Sequence, residues 1–296
     1  MNKLPLAKRV QILQLLCEGS SMRSISRVCD VSFNTVAKLL EDAGTACAAF
    51  HDSTVRKVKV RRVQADEIWS FVAAKQKNVP DMKAPVEGAG DVWTWTALHA
   101  DTKMILSWSV GSRDADSARV LMNDLSARVA NRIQLTTDGH RAYVQAVDEA
   151  FGGEIDYGML VKVYGPSPDR MKGRYSPAEC IGAHREKVTG NPDEFYISTS
   201  YVERQNLSMR MGMRRFTRLT NAFSKKLENH YHALSLYFVF YNFARMHKTL
   251  RMTPAMAAGV TDKLMSMEDI AGLVDAANPV PAQRGPYKKR TREAVS

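Results

Sequence analysis

The feature that most limits the fold of this chain is a run of three strand-like segments in its first half, all rich in β-branched and aromatic residues. The segments are Val63 to Val72, Val92 to Leu98 and Met104 to Val110. Only the short turn His99 to Lys103 separates the last two, and short connections join antiparallel neighbours. We therefore predict an antiparallel meander of three strands.

The segments after this meander alternate between helical and strand patterns. They are predicted helices at Arg113 to Val129 and His140 to Phe151, predicted strands at Arg132 to Thr137 and Ile155 to Tyr164, a helix that contains Glu203, and a long aromatic helix at Lys225 to Met246. This alternation is typical of an α/β fold in which helices flank a mixed sheet.

The first part of the chain is helical throughout. Apolar residues recur at helical spacing in residues 4–18, Met22 to Cys29 and Phe33 to Glu41, with a tight turn before the last segment. Three short helices with such a turn form the helix-turn-helix pattern, whose last helix reads the major groove of DNA. The outward residues of that helix, whose side chains suit bases and phosphates, are Ser32, Asn34, Thr35 and Lys38. A small helical interaction domain is the alternative.

A linker is predicted over residues 47–62, between a helix-turn-helix domain at residues 1–46 and the first strand. It ends in the basic sequence RKVKVRR, whose cations include Arg56, Lys57, Arg61 and Arg62. Three interpretations remain open: a basic strand, an extended arm that lies along DNA, or an ordinary solvated run of charge.

The charge of the whole chain favours a polyanionic partner. Its 296 residues include 42 lysines and arginines against 31 aspartates and glutamates, a net charge of +11. Cations that neutralise phosphates release condensed counterions, so nucleic acid is the expected partner. The four cysteines contain no Cys-x-x-Cys pair, which argues against a disulfide framework or a zinc ribbon. Cys17, Cys29 and Cys47 are expected to be buried thiols, with a metal set that includes His51 as the alternative. No segment has the pattern of a signal peptide or a bilayer span, so we expect a cytoplasmic protein that does not bind membranes.

Acids occupy three unusual positions. Asp66, with Glu67 beside it, lies inside the first predicted strand, where an unpaired carboxylate is costly. Asp138 follows a strand and precedes a glycine and a helix, where α/β sheets place ligand groups; an N-cap aspartate is the alternative. Glu203 lies at the start of a predicted helix in the second half of the chain. Neighbours in a strand point to opposite faces, so only one of Asp66 and Glu67 is expected to face a shared site, with Glu67 as the rival.

The helix that carries Glu203 also carries a row of arginines, in the sequence YVERQNLSMRMGMRRFTR. At helical spacing, Glu203, Asn206, Arg210 and Arg214 share one face. Guanidinium groups bind phosphates bidentately, so the arginines predict contacts to DNA near the reacting phosphate. The candidates are Arg204, Arg210, Arg214 and Arg215, while His140 and Lys162 are either further DNA contacts or ordinary surface. The alternative for the helix itself is a solvated surface on which Glu203 pairs with a neighbouring arginine.

Three carboxylates that meet at one point repel each other, and a divalent metal offsets that repulsion. Oxygen ligands without a histidine or cysteine cluster indicate Mg²⁺ or Mn²⁺, so we expect Asp66, Asp138 and Glu203 to hold two such ions. A pair of these ions activates an attacking oxygen and stabilises the leaving oxygen in an in-line displacement at phosphorus. The predicted activity is metal-dependent chemistry on the DNA backbone.

Four motifs in this order resemble the transposases of the insertion sequence one family. They are DEIWSFV at Asp66, TDGHRAY at Asp138, YVERQNLSMR at Glu203 and the RRFTRLTNAFSKKLENH that follows. More broadly, residues 60 to 250 are similar to DDE transposases and integrases with a ribonuclease H-like core. The resemblance implies that Asp66, Asp138 and Glu203 form the catalytic triad. It also implies cleavage at transposon ends and joining of the freed 3′-hydroxyl to target DNA.

The resemblance further implies the partners, while the composition and periodicity of the chain predict its insertion and tail. The expected partners are double-stranded DNA, as inverted-repeat ends and as target, and at least one more copy of the chain. A catalytic domain is expected at residues 63–250, with an irregular insertion at 165–199, followed by a C-terminal helix and a disordered basic tail within 251–296. The chain departs from the family in lacking N-terminal zinc-finger cysteines and in the wide gap between Asp138 and Glu203. Two other functions remain open: a nuclease of this fold that does not join ends, and a DNA-binding repressor with an inactive core.

Overall fold

A six-stranded mixed sheet forms the centre of the protein. The computed structural model describes residues 3–84, 86–165, 180–217 and 222–278. The strands are β1 (Arg62–Val72), β2 (Gly90–His99), β3 (Ile105–Gly111), β4 (Gln134–Asp138), β5 (Asp156–Tyr164) and β6 (Cys180–Thr189). Their order across the sheet is β3-β2-β1-β4-β5-β6.

The first three strands form the predicted antiparallel meander, and the next two run parallel to β1. β1 pairs antiparallel with β2 and β2 with β3, whereas the pairs β1–β4 and β4–β5 are parallel and β6 returns antiparallel to β5. Helical crossovers connect β3 to β4 and β4 to β5, as parallel neighbours require. This mixed sheet with flanking helices is ribonuclease H-like, and the predicted fold class is confirmed.

Nine α-helices lie within the described residues. They are α1 (Leu6–Cys17), α2 (Met22–Val28), α3 (Phe33–Thr54), α4 (Ala115–Arg128), α5 (Ala142–Phe151), α6 (Ser200–Gly212), α7 (Leu227–Val239), α8 (Pro254–Ala257) and α9 (Met267–Ala277). A π-helical segment, Phe240–Ala244, continues α7. In the described part of the chain, no helix combines the length and the apolar character that a membrane crossing needs.

Alternating residues of β1 contact different helices on the two faces of the sheet. The side chain of Gln64 accepts hydrogen bonds from the backbone of α6, and Asp66 accepts one from Asn206 of the same helix. Glu67 accepts one from Tyr143 of α5, on the opposite face. α4 packs on α5, so the sheet lies between an α4–α5 layer and a layer that contains α6.

The third helix is much longer than predicted. It was expected to end at Glu41, yet α3 continues to Thr54, through the first half of the predicted linker. Gly44, which lies three residues beyond the predicted end, allows α3 to approach α7 closely. A Cβ atom at this position would lie 2.5 Å from the Cα of His232. The helix continues because packing outweighs the low intrinsic helix propensity of glycine.

The N-terminal helices share one hydrophobic core with the sheet and with α7. The thiols of Cys17, Cys29 and Cys47 are free and buried in it, as predicted. The second half of the predicted linker is also ordered, because the backbone of Val58 hydrogen-bonds to residues 128 and 130.

The predicted irregular insertion contains regular structure. Residues 180–189 form strand β6, which pairs with β5 along most of its length, so the prediction for this part was wrong. Low apolar periodicity hid the strand, because its residues are largely exposed at the edge of the sheet. Residues 166–179 of the insertion, and residues 279–296 of the predicted disordered tail, lie outside the described residues.

Candidate active site

The acidic site forms where β1 and β4 part. The parallel ladder pairs Arg62 with Gln134 and ends two residues later at Gln64 and Thr136. Had it continued, the same register would have placed Asp66 opposite Asp138. One carboxylate oxygen from each of Asp66, Glu67 and Asp138 lies within 4.8 Å of the others. We call these three residues the acidic cluster.

Glu67 reaches the acidic cluster although it leaves β1 on the opposite face from Asp66. Its side chain, only 1% exposed, accepts hydrogen bonds from Arg113 Nε at 2.7 Å and from the Tyr143 hydroxyl at 3.1 Å. Arg113 also approaches Asp138, with Nη2 at 3.9 Å from Oδ2. The expectation that only one of the two neighbouring acids can face the site was wrong. Because the ladder has ended here, oxygens from both faces of β1 reach the gap beside β4.

The carboxyl group of Asp66 is held in a strongly anionic environment. Burial raises its pKa from 3.8 to about 7, and the charges of Glu67 and Asp138 add to the rise. Burial also raises the pKa of Glu67, again with a contribution from Asp138, although Arg113 opposes it. Asn206 Nδ2 donates to Asp66 Oδ2 at 2.7 Å and fixes its orientation. The cluster therefore carries negative charge that Arg113 offsets only in part.

Glu203 lies in the first turn of α6, outside the acidic cluster. Its Oε1 accepts hydrogen bonds at 2.5 Å from Lys162 Nζ on β5 and from Thr199 Oγ1. The charge of Glu203 nevertheless contributes to the raised pKa of Asp66. Asn206, one helical turn after Glu203, bonds to Asp66, so α6 places Glu203 at the edge of the cluster. Among the described residues, Glu203 pairs with Lys162, whereas the alternative expected a pair with a neighbouring arginine.

The position of α6 is set by a residue of β1. Thr199 precedes the helix without a side-chain cap. Gln64 Oε1 instead accepts from the backbone N–H groups of Tyr201 and Val202, at 2.9 and 3.1 Å. These N–H groups would otherwise lack partners at a helix start. The same strand thus carries Asp66 and anchors the helix that carries Glu203.

Asp138 stabilises a turn and is not the N-cap of α5, which was the alternative. Its Oδ1 accepts from the backbone N–H of His140 at 2.9 Å, and α5 begins later, after Arg141. The imidazole of His140 stacks on Trp95, with ring centroids 5.9 Å apart. The second oxygen of Asp138 remains directed toward the Arg113 side of the cluster.

The predicted DNA-binding arginines of the second half divide into two groups. Arg204 and Arg214 are exposed, and Arg210 is half-buried. Arg215 packs inward, where its Nε donates to Ser224 Oγ at 2.7 Å and burial lowers its pKa to about 10. Arg215 therefore has a structural contact that the sequence did not indicate.

Several predicted DNA-binding residues near the N-terminus bond within the chain. Ser32 caps α3 by accepting from the backbone N–H of Thr35 at 3.1 Å, while Asn34 is exposed. Lys38 Nζ lies 3.0 Å from Asp42 and 3.5 Å from Glu41.

In the basic run, two of the four predicted arm residues are ion-paired. Arg56 pairs with Asp52, and Arg62 pairs with Asp101. Lys57 and Arg61 are exposed. The ion pairs tie part of the predicted arm to the folded protein.

Sequence reasoning missed three residues that build the site. Gln64 is two positions before Asp66 in the strand, so its place on the same face could have been read from the alternation. Arg113 and Tyr143 are distant in sequence and gave no local signal. Arg113 precedes α4 and Tyr143 lies on α5, so their role depends on the two crossovers that bring these residues against the face of β1 that carries Glu67.

Comparison with known proteins gives no family assignment. No family model matches the chain, and no curated protein matches it. Solved structures that it resembles in part include transposases. A Mos1 transposase paired-end complex with left transposon end is 14% identical, with 53% of this chain and 60% of that chain covered and a TM-score of 0.24. The match thus spans about three fifths of that Mos1 chain.

Two further structures are similar at the same level. A synaptic complex of piggyBac transposase with hairpin DNA is 8% identical, covers 94% of this chain and 73% of that chain, and has a TM-score of 0.42. A mariner Mos1 paired-end complex with Mg is 12% identical, covers 81% and 80%, and has a TM-score of 0.24. At these values the function has to be argued from the residues of the site.

Proposed function

We propose that the chain is a DDE transposase of a bacterial insertion sequence, which cuts DNA at transposon ends and joins the freed 3′-hydroxyl to target DNA. The observation that carries the proposal is the acidic cluster at the parting of β1 and β4, with Glu203 held one helical turn from the residue that orients Asp66. Clustered carboxylates with raised pKa values mark functional sites more often than structural ones.

The donor set fits a hard divalent cation. The cluster offers carboxylate oxygens and no histidine or cysteine, which is the ligand chemistry of Mg²⁺ or Mn²⁺. Asp66, Asp138 and Glu203 would hold two ions, with Glu67 adjacent. When bound, the ions supply activation of an attacking oxygen and stabilisation of the leaving oxygen in an in-line displacement at phosphorus.

The remaining residues of the site orient these ligands. Asn206 holds Asp66, and Gln64 fixes the start of α6, so the two sides of the site keep their spacing. Glu67 is held by Arg113 and Tyr143, and its contact with Arg113 couples β1 to Asp138. Arg204, Arg210 and Arg214 follow Glu203 along α6 and just beyond it, where they would contact phosphates near the scissile bond.

The proposal is tested with purified chain, Mg²⁺ and labelled DNA from the inverted repeats that flank its gene. The wild-type chain should give both cleaved and joined products. Asp138→Asn should remove both while leaving DNA binding intact, because the amide keeps the shape of the side chain and loses its charge. Asp116→Asn is the matched control, since Asp116 is 89% exposed on the α4 surface.

The outcomes separate the competing functions. Cleavage without joining would assign a nuclease of the same fold. Specific binding without metal-dependent chemistry would assign a repressor with an inactive core. Equal activity in Asp138→Asn and wild type would contradict the proposed site.

A further inference from the structure

A second charged region, of opposite sign, lies at the far end of α6. A cavity of about 910 Å³ opens between α2 on one side and residues 213–215 and 222–226 on the other. Its cationic lining residues, which define what we call the basic groove, are Arg23, Arg27, Arg214, Arg215, Lys225 and Lys226. Its apolar floor includes Leu40 of α3 and Leu236 of α7.

The charge of the basic groove is not neutralised by neighbouring acids. None of its lining residues is an aspartate or glutamate. Within the described ranges, none of its six cations has an ion pair, although Arg215 is hydrogen-bonded to Ser224. Concave surfaces lined by one sign of charge concentrate ions of the opposite sign. The groove therefore presents a binding surface for a polyanion.

The two walls of the groove come from distant parts of the sequence and are fixed to each other. Gly19, in the loop before α2, packs against the end of α6: a Cβ atom on it would lie 2.9 Å from the carbonyl oxygen of Gly212. Gly19 also has a φ of +76°, which L side chains rarely adopt. The close approach sets the spacing between the cations of α2 and those that follow α6.

The distance from the basic groove to the acidic site follows from the length of α6 between them. Glu203 and Gly212 are nine positions apart on the helix (203 to 212), which is about 14 Å at 1.5 Å per residue. Phosphates along one strand of B-DNA are spaced at about 3.4 Å along the helix axis. The same length therefore corresponds to about four base pairs.

We propose that the basic groove binds the sugar–phosphate backbone of duplex DNA about four base pairs from the phosphate at the acidic site. The backbone-binding part stands on the groove alone, whereas the spacing rests on the proposed function. Arg23, Arg27, Lys225 and Lys226 are exposed and contact phosphates. Arg214, also exposed, lies on the side of the groove nearest α6, and Arg215, which is held by Ser224, supports the wall.

The test compares one double variant in each wall, Arg23→Gln/Arg27→Gln and Lys225→Gln/Lys226→Gln, with a control that removes the same charge elsewhere. Arg119→Gln/Arg132→Gln is that control, because both arginines lie away from the groove and pair with Glu149 and Asp156. Affinity for a fluorescent duplex is measured between about 50 and 200 mM salt, and each phosphate contact contributes about −0.9 to the logarithmic salt slope.

Each groove variant should bind about tenfold more weakly at the lower salt and should lose about one to two units of slope, whereas the control keeps the wild-type slope. All four substituted residues are exposed, so the fold should be retained, as circular dichroism can verify. Slopes in both groove variants equal to that of the control would overturn the proposal.

A scan with uncharged methylphosphonate linkages tests the position. Neutral linkages within the contacted stretch should weaken binding by the wild-type chain and have no further effect on the groove variants. For DNA that is cleaved, that stretch should be centred about four base pairs from the cut. A stretch at the cut itself would overturn the spacing. Absence of cleavage by the wild-type chain would contradict the proposed function and leave the salt slopes valid.

Discussion

The acidic cluster and the basic groove lie toward opposite ends of α6, and each leaves charge of one sign without a full set of partners. Arg128 is instructive beside them: its side chain, 6% exposed, bonds to both Asp124 and Asp52. The fold thus neutralises this buried guanidinium with two acids of its own. The acidic cluster and the basic groove differ from Arg128, because a ligand of opposite charge would complete each of them.

Substitutions of Glu203 and Glu67 should differ most clearly in their effects, because Glu203 is proposed to be catalytic and Glu67 holds the site together through Arg113 and Tyr143. Glu203→Gln should abolish cleavage and cost at most about 1 kcal/mol of stability, because its pair with Lys162 is partly exposed. Glu67→Ala should instead lower the free energy of unfolding by about 1–3 kcal/mol at pH near 4, where the cost of ionising Glu67 is small, because it removes the buried acceptors of Arg113 and Tyr143. Denaturant titrations and single-turnover cleavage measure the two effects. Retained cleavage in Glu203→Gln would remove that residue from the proposed triad.

The repulsion and burial of the clustered carboxylates should make the free energy of unfolding depend on pH. The pKa of Asp66 in the folded protein, about 7, is above its ordinary value of 3.8, so ionisation opposes folding and stability falls as pH rises between these values. Asp66→Asn removes this cost. Without added metal we expect it to raise the free energy of unfolding by about 2–4 kcal/mol at pH above 7, and by little at pH near 4. A stability gain that does not depend on pH would show that Asp66 ionises normally.

The smallest expected effect concerns the pair that keeps Glu203 at the edge of the cluster. Lys162 Nζ bonds to Glu203 Oε1 at 2.5 Å, so its ammonium group competes with any cation for the same oxygen. Lys162→Gln should raise the affinity for Mn²⁺ by about two- to fivefold, since partly exposed pairs are worth at most about 1 kcal/mol. Calorimetric titration measures this affinity, with Lys187→Gln as a control at a surface pair with Glu194. Weaker Mn²⁺ binding in Lys162→Gln would mean that Lys162 positions Glu203 instead of competing for it.

Strands β1 to β5 were predictable from their β-branched and aromatic residues, and most helices from their apolar periodicity. The placement of Asp66 and Asp138 on adjacent strands was predictable as well. The length of α3 was not predictable, because the close approach at Gly44 depends on α7, which is remote in sequence. Strand β6 was missed because an exposed edge strand has no alternation to reveal it.

The parts of the site that were predictable are those whose contacts follow from a local sequence pattern, such as the alternation along a strand. Glu67 joined the acidic cluster because the β1–β4 ladder ends early, and no local sequence signal marks that end. The ion pairs of Arg56 and Arg62 likewise depend on where Asp52 and Asp101 fold. Sequence patterns identified the charged residues, and only tertiary contacts showed which of them are already neutralised.

The most direct test of the account is a calorimetric titration of the wild-type chain and Asp138→Asn with Mn²⁺ at pH 8. Carboxylates that share a divalent centre should bind the ion with a saturable affinity in the wild-type chain, and that binding should be lost or greatly weakened in the variant. Equal binding by the two proteins would contradict the claim that the acidic cluster is a metal centre.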